Sequence, residues 1–321
     1  MSIRSLLQTA LNRLSAGEPL VLVTVAASQG STPRSAGAWM LVGQQGLLCG
    51  TIGGGALEYH CQQLAASLAP GSPGRLETFS LTDAEAGGLG MICGGSTQVL
   101  FTPLSDPAPF AAAQELLLEG SSAWLCLPLD GSAPQVVSAL EGQLPAKAQI
   151  ADWQGKAVLA LPLREPGRFF LIGAGHVARE LGRLLEQLEY PYLVADDRPD
   201  FACRERFAGA LACLTLSCDR LGEGLCGPFS PTAQDGFCIM TRGHQGDLDA
   251  VRFALGTPAG YIGLMGGRQK RQQIFAQLES EGCSDARQRI QSPIGLDISA
   301  QTPAEIAVSV AAQLIAWRNQ K

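Results

Sequence analysis

The stretch LIGAGHVARELGRLLEQLEYPYLVADDR, residues 171–198, has the pattern of a strand, a glycine-rich turn, an amphipathic helix and a second strand. Gly173 would make the tight turn, Gly175 would let the backbone approach a phosphate, and Ala178 would take the third small position. Asp196 stands 21 residues after Gly175, where an acidic residue would hold a ribose hydroxyl. The stretch predicts a dinucleotide-binding βαβ unit, although such a scaffold can also lose its ligand or use another.

Strands and helices continue to alternate from Phe169 onward, through GFCIMT and AGYIGLM. This alternation predicts an α/β fold with a doubly wound parallel sheet, so we expect a Rossmann-like nucleotide-binding domain over 169–321. Its last helix has a capping box, since Thr302 can be the N-cap and Glu305 stands at N3. The segment REPGR, residues 164–168, is typical of a linker.

Polar side chains follow the strands of this predicted sheet and would gather at its carboxyl edge. The basic segment GGRQKR, residues 266–271, lies near a helix N-terminus, where the helix dipole disfavours cations. It is therefore either a solvated basic face or an anion site whose ligand offsets that penalty. The candidate nucleotide-binding residues are Gly173, Gly175, His176, Asp196, Arg198, His244, Asp247, Arg268, Lys270 and Asp297.

Composition excludes several classes of protein. The formal net charge of −6 gives no general attraction to nucleic acid or to an anionic membrane surface. Ten cysteines would indicate disulfides in a small secreted chain, but the N-terminal segment lacks the apolar core and the cleavage site of a signal peptide. No apolar run reaches the roughly 18 residues that span a bilayer. We therefore expect a cytoplasmic protein with reduced thiols and no zinc site.

The first half of the chain predicts a domain of α+β type over residues 1–163. An amphipathic N-terminal helix precedes the strands LVLVTVAAS, AWMLV and GLLCGTI, and a second helix follows a run of three glycines. RLETFSL and STQVLFTPL are two further strands. Residues 106–163 are interrupted by prolines and predict one helix and several short strands that extend this domain.

Three loops of this half carry unusual chemistry. Arg34 lies in SQGSTPRSAG, where its guanidinium can clamp a phosphate or simply belong to a surface turn. The run Gly53–Gly55 offers backbone N–H groups at a helix start, with Glu58 one turn in, or forms only a tight turn. In GLGMICGG, Cys93 is either a reactive thiol or soft-metal ligand, or an inert buried thiol.

Together these segments resemble the xanthine dehydrogenase accessory protein family of the XdhC/CoxI type. The resemblance runs in order from about residue 24 to 312 and leaves only residues 106–163 without a motif. The motifs are GSTPRSAGAWMLV, GTIGGGALE, GLGMICGG, LIGAGHVARELGRLLE, VADDRPDF, YIGLMGGRQKR and SPIGLDISAQTPAEIAVSV.

The resemblance implies an N-terminal XdhC/CoxI domain followed by a Rossmann-like domain. It also implies a non-catalytic accessory protein, a homodimer, that binds molybdenum cofactor while a cysteine desulfurase supplies its sulfido ligand. The cofactor then passes to a molybdenum hydroxylase of the xanthine dehydrogenase type. The residues expected to hold the cofactor are Arg34, Gly53, Gly54, Gly55, Glu58, Cys93, Gly94 and Gly95, with Cys93 a candidate molybdenum ligand.

The second domain is expected to bind NAD(P) or another nucleotide, and the sequence leaves open whether the two loops serve one ligand or two. The family usually has Thr-His-x-His-x-x-Asp where this chain has Thr241, Arg242 and, later, His244 and Asp247. The absence of the first histidine argues against a metal at this site. The arginine that replaces it, Arg242, adds a positive charge. The alternative function is an NAD(P)-dependent oxidoreductase, with His244 and Asp247 as an acid/base pair.

Overall fold

The chain divides into two units, Met1–Glu165 and Pro166–Lys321. The computed structural model describes residues 3–68, 71–80, 95–118, 123–142, 144–163 and 167–319. Among the helices of these ranges, none combines the length and hydropathy needed to cross a membrane.

The first unit contains two antiparallel sheets, of α+β type as expected. The larger sheet has the strand order β3-β2-β1-β5-β4, and the smaller has the order β7-β6-β9-β8. Its helices are α1 (Ile3–Ser15), α2 (Gly55–Ser67) and α3 (Ala108–Leu118). Its strands are β1 (Leu20–Gln29), β2 (Trp39–Gly43), β3 (Gly46–Gly50), β4 (Arg75–Ser80), β5 (Ser96–Leu104), β6 (Ala123–Pro128), β7 (Gln135–Ser138), β8 (Gln149–Trp153) and β9 (Lys156–Leu163).

Strand β1 is apolar on both faces because the sheet around it is covered on both sides. Leu22 packs in a core that also contains Phe110 of α3 and Leu161 of β9. Because β1 and β9 belong to different sheets, this core joins the two sheets. Val23 points to the opposite face, where Leu57 of α2 packs. The packing of α2 fixes the position of the glycine run at its N-terminus.

The second unit is built on a sheet of six parallel strands, as the alternation of strands and helices predicts. The strand order is β12-β11-β10-β13-β14-β15, with a core on each face. Its strands are β10 (Phe169–Ile172), β11 (Tyr192–Asp196), β12 (Ala212–Thr215), β13 (Gly236–Ile239), β14 (Tyr261–Leu264) and β15 (Ile290–Gln291). Its helices are α4 (His176–Gln187), α5 (Leu221–Gly224), α6 (His244–Leu255), α7 (Arg268–Ser280), α8 (Ala286–Arg289) and α9 (Pro303–Asn319).

The start of α9 confirms the predicted capping box. The hydroxyl of Thr302 accepts a hydrogen bond from the N–H of Glu305 at 3.3 Å, and Glu305 Oε2 accepts one from the N–H of Thr302 at 2.9 Å. In contrast, the edge strand β15 was not predicted. A strand of two residues is too short to give a sequence period, and it forms only because β14 offers it a partner.

The glycine turn after β10 depends on the absence of a side chain at Gly173. This residue has a φ of +98°, and a Cβ there would overlap the carbonyl oxygen of Met240. Gly175, in contrast, has a φ of −69°, and a Cβ there would meet no atom within 4 Å. Only the first glycine is therefore required by the fold itself.

We expect Gly173→Ala to lower the free energy of unfolding by about 2 kcal/mol or more, because it adds both a strained φ and a clash with backbone. Gly175→Ala is the matched control and should change stability by no more than about 0.5 kcal/mol. Urea unfolding followed by circular dichroism measures both, and equal losses in the two variants would contradict this assignment.

Candidate functional site

Three sequence segments of the first unit meet at the end of β1. A Cβ on Gly53 would lie 2.6 Å from Cβ of Pro33 and 3.6 Å from Cγ of Arg34. A Cβ on Gly95 would lie 2.5 Å from the carbonyl oxygen of Gln29. Such approaches exclude any larger residue at either glycine. One cluster therefore contains the loop before Arg34, the glycine run and Gly95, which are up to 66 residues apart in sequence.

The carboxylate of Glu58 occupies the inside of the glycine run. Its Oε2 accepts hydrogen bonds from the N–H groups of Ile52 and Gly54, both at 3.0 Å, and from the hydroxyl of Thr51 at 2.5 Å. Burial opposes the ionised form, but these hydrogen bonds outweigh it and hold the pKa of Glu58 below its usual value. The anion bound by this helix start is thus the protein's own side chain.

The open part of the cluster is formed by Arg34, Gly54 and Gly55. Arg34 is exposed, and no acidic side chain in the described ranges pairs with it. A Cβ on Gly54 or Gly55 would meet nothing within 4 Å. A ligand phosphate would therefore find a guanidinium here, whereas the N–H groups of Ile52 and Gly54 already have an acceptor. Cys93 and Gly94 lie outside the described residues.

The second unit has a cavity of about 340 Å³ at the carboxyl edge of its sheet. The cavity lies where the strand order reverses, between β10 and β13, which is the usual ligand position in such sheets. Its lining includes Gly173, Asp196, Asp197, Ser217, Cys218, Asp219, Thr241, Arg242 and Asp249.

Asp196 lies at this edge, but its oxygens are engaged by the protein. Oδ2 accepts a hydrogen bond from the N–H of Ala174 at 2.8 Å, and Arg198 donates to both oxygens, from Nε at 2.7 Å and from Nη2 at 2.9 Å. Burial opposes ionisation, yet these bonds lower the pKa of Asp196 to about 2. The carboxylate therefore joins the glycine turn to the segment after β11. The ring of Phe201 lies 3.4 Å below the guanidinium carbon of Arg198.

Asp247 and His244 do not form the acid/base pair of the alternative function. Asp247 is fully buried, accepts hydrogen bonds from the N–H and hydroxyl of Thr241, and is ion-paired with Lys270. His244 is exposed at the start of α6. Asp247 thus fixes the turn after β13 to the start of α7 and does not orient the imidazole.

The remaining candidates are on the surface. His176 begins α4, Arg268 begins α7, and Asp297 lies in the loop before α9; all three are exposed. Within the described part of the chain, no three His, Cys, Asp or Glu side chains are placed to hold one metal ion.

Sequence reasoning missed two residues that line the cavity. Asp197 directly follows Asp196, the last residue of β11, and lines the cavity. The distance from the glycine turn to the expected ribose-binding acid pointed to Asp196 alone. Cys218, a cysteine that no sequence motif singles out, lies at the cavity wall. Burial and the neighbouring carboxylates raise the pKa of its thiol to about 11, so it stays protonated at neutral pH.

Comparison with known proteins agrees with this two-domain arrangement. Residues 13–80 match the model of the XdhC and CoxI family, and residues 169–314 match that of the XdhC Rossmann domain. The chain belongs to the XdhC family. Its matched XdhC segments together make up about two thirds of its length.

Two curated relatives and one solved structure are similar to this XdhC chain over most of its length. The chain is 24% identical to a protein of Bacillus subtilis named as a probable subunit of xanthine dehydrogenase, over 94% of each protein. It is also 24% identical to YqeB, an uncharacterised protein of Escherichia coli, over 94% of this chain but 44% of YqeB. A crystal structure from Bacillus halodurans, described as a xanthine dehydrogenase, shares the fold with a TM-score of 0.81. That protein is 24% identical, and the match covers 100% of this chain and 97% of the other.

Loss of the Glu58 carboxylate should disorganise the glycine run. Glu58→Ala leaves the N–H groups of Ile52 and Gly54 without their acceptor, which typically costs about 1–3 kcal/mol of stability. Glu58→Gln keeps one acceptor oxygen and should lose less. Thermal unfolding of the two variants checks this, and an alanine variant as stable as wild type would show that the loop does not depend on the carboxylate.

Asp196 should contribute a pH-dependent part of the stability. Because its pKa is depressed in the folded state, the contribution is present above about pH 4 and is lost as the pH falls toward 2. Asp196→Asn should therefore cost about 2 kcal/mol at pH 7, and its difference from wild type should shrink below pH 4. Urea unfolding at several pH values measures this; the exposed Asp200→Asn is the control and should show no such trend.

Proposed function

We propose that this XdhC protein binds molybdenum cofactor in its first domain, holds it while its sulfido ligand is installed, and delivers it to a molybdenum hydroxylase of the xanthine dehydrogenase type. Membership of the XdhC family supports an accessory role for xanthine dehydrogenase. The observation that carries the finer proposal is the convergence of three distant segments on one exposed cluster around Gly53 and Arg34.

The chemistry of the cargo matches the open part of this cluster. Molybdenum cofactor is a pterin phosphate whose dithiolene holds a soft metal, so it needs a phosphate donor and room for close approach. Arg34 supplies a guanidinium that can bind phosphate bidentately, and the bare backbone at Gly54 and Gly55 supplies the room. In this proposal Glu58 does not contact the ligand; its carboxylate stabilises the backbone conformation of the glycine run.

Cys93 remains the proposed soft ligand for molybdenum, because a thiolate is the side chain that such a metal prefers. Gly95, two residues further on, packs against the backbone at Gln29 and Ser31, beside the same cluster.

The proposal includes partners for each step. A cysteine desulfurase would supply the sulfur, and the apo-hydroxylase would receive the finished cofactor; both follow from the family resemblance. We also propose that the protein acts in the cytoplasm as a homodimer, and that its second domain binds a nucleotide, NAD(P) or another, in the cavity at the carboxyl edge of the sheet. The oxidoreductase alternative has less support, because Asp247 accepts hydrogen bonds from Thr241 and is ion-paired with Lys270, so its carboxylate is already engaged.

Arg34→Ala should weaken the binding of molybdenum cofactor at least tenfold, since a hydrogen-bonded charge pair contributes about 1.5–3 kcal/mol. The measurement is equilibrium binding of isolated cofactor to purified protein under anaerobic, reducing conditions. Arg13→Ala is the control, because Arg13 is an exposed, ion-paired arginine that precedes the opposite end of β1. Equal affinity of wild type and Arg34→Ala would contradict the assignment of the phosphate to Arg34.

A further inference from the structure

Two adjacent aspartates at the cavity of the second unit have opposite environments. The side chain of Asp196 is 4% exposed, whereas that of Asp197 is 54% exposed. Both line the cavity, at the carboxyl end of β11. An acidic residue at this place in a Rossmann sheet binds the ribose hydroxyls of a nucleotide, so the question is which of the two can reach a ligand.

Asp196 is already committed to the fold. Its carboxylate accepts hydrogen bonds from the backbone of Ala174 and from the side chain and backbone of Arg198. A ribose could take one of these positions only by displacing the N–H of Ala174 or a donor of Arg198. Asp196 therefore maintains the cavity wall and has little capacity for a ligand.

Asp197 has acceptor capacity left. Its closest partner is Arg242, whose Nη2 lies 2.9 Å from Oδ1 and 3.0 Å from Oδ2, and Nε of Arg198 lies 3.9 Å from Oδ1. A carboxylate has about four lone-pair positions, so Asp197 can accept hydroxyl hydrogens while it keeps Arg242. The pair is also largely exposed, and ion pairs of this kind exchange easily for a competing partner.

The charge of the cavity lining indicates which kind of nucleotide would fit. Its lining carries four carboxylates, those of Asp196, Asp197, Asp219 and Asp249, against the single guanidinium of Arg242. The neighbouring cations are engaged by acids, since Arg198 pairs with Asp196 and Lys270 with Asp247. A phosphate on the ribose 2′-oxygen would bring about 1.5 to 2 further negative charges into this acidic surface.

We infer that Asp197 is the residue that recognises the ribose, and that the cavity selects a nucleotide with free ribose hydroxyls, of the NAD(H) class, over one with a 2′-phosphate. This inference rests on the proposed nucleotide role of the second domain and deepens it. Arg242, which stands where the family usually has histidine, follows β13 and donates to Asp197 without being needed to position it.

The test is calorimetric titration of the full chain with NADH and with NADPH. Wild type should bind NADH at least about tenfold more tightly than NADPH. Asp197→Asn should weaken NADH binding and bring the two affinities close together. Asp200→Asn, an exposed acid of the same segment that does not line the cavity, should keep the preference of wild type.

A second variant separates direct recognition from an effect transmitted through Arg242. Arg242→Gln removes the guanidinium and leaves Asp197 in place, so it should retain the preference for NADH. Loss of the preference in Arg242→Gln would overturn the inference, because Asp197 would then act only by holding Arg242.

The remaining outcomes are also distinct. Equal or tighter binding of NADPH by wild type, or an unchanged ratio in Asp197→Asn, overturns the inference and leaves nucleotide binding by the domain intact. If wild type binds neither ligand, both the inference and the nucleotide role fail, while the cofactor role of the first domain still depends on the separate Arg34 measurement.

Discussion

Hydrogen bonds from backbone N–H groups to an internal carboxylate hold each of the two glycine loops. In the first unit Glu58 accepts from Ile52 and Gly54, and in the second Asp196 accepts from Ala174. In both, the hydrogen bonds keep the acid ionised despite partial burial. A glycine loop without such an acceptor would have many accessible conformations. The two carboxylates therefore stabilise one backbone conformation in each loop.

These carboxylates change how the glycine motifs are understood. A glycine run at a helix start usually indicates a bound phosphate, yet here part of that donor set serves the protein itself. The ligand then has to be held by groups next to the loop. We propose Arg34, exposed beside Gly53, as that group in the first unit, and the surface around Asp197 and Arg242 in the second. In this proposal, each domain uses one set of residues to shape its site and another to bind its ligand.

Sequence pattern predicted the elements that depend on local chemistry or on a repeated period. The βαβ unit, the capping box at Thr302 and the α+β character of the first half all follow from such signals. The pattern did not distinguish Asp196 from Asp197, because the difference between them arises from contacts with Ala174 and Arg242 that lie 22 and 45 residues away. It likewise gave no sign that Glu58 turns inward, since an acid in a first helical turn is also favoured by the helix dipole alone.

The core that joins the two sheets of the first unit includes residues from the segment between the two family matches, residues 81–168. Phe110 and Leu161 belong to that part and pack in the same core as Leu22. Selection on such positions acts on volume and hydrophobicity, for which many side chains serve equally well. Many different sequences can therefore build the same interior, so this part of the fold does not require a recognisable sequence motif.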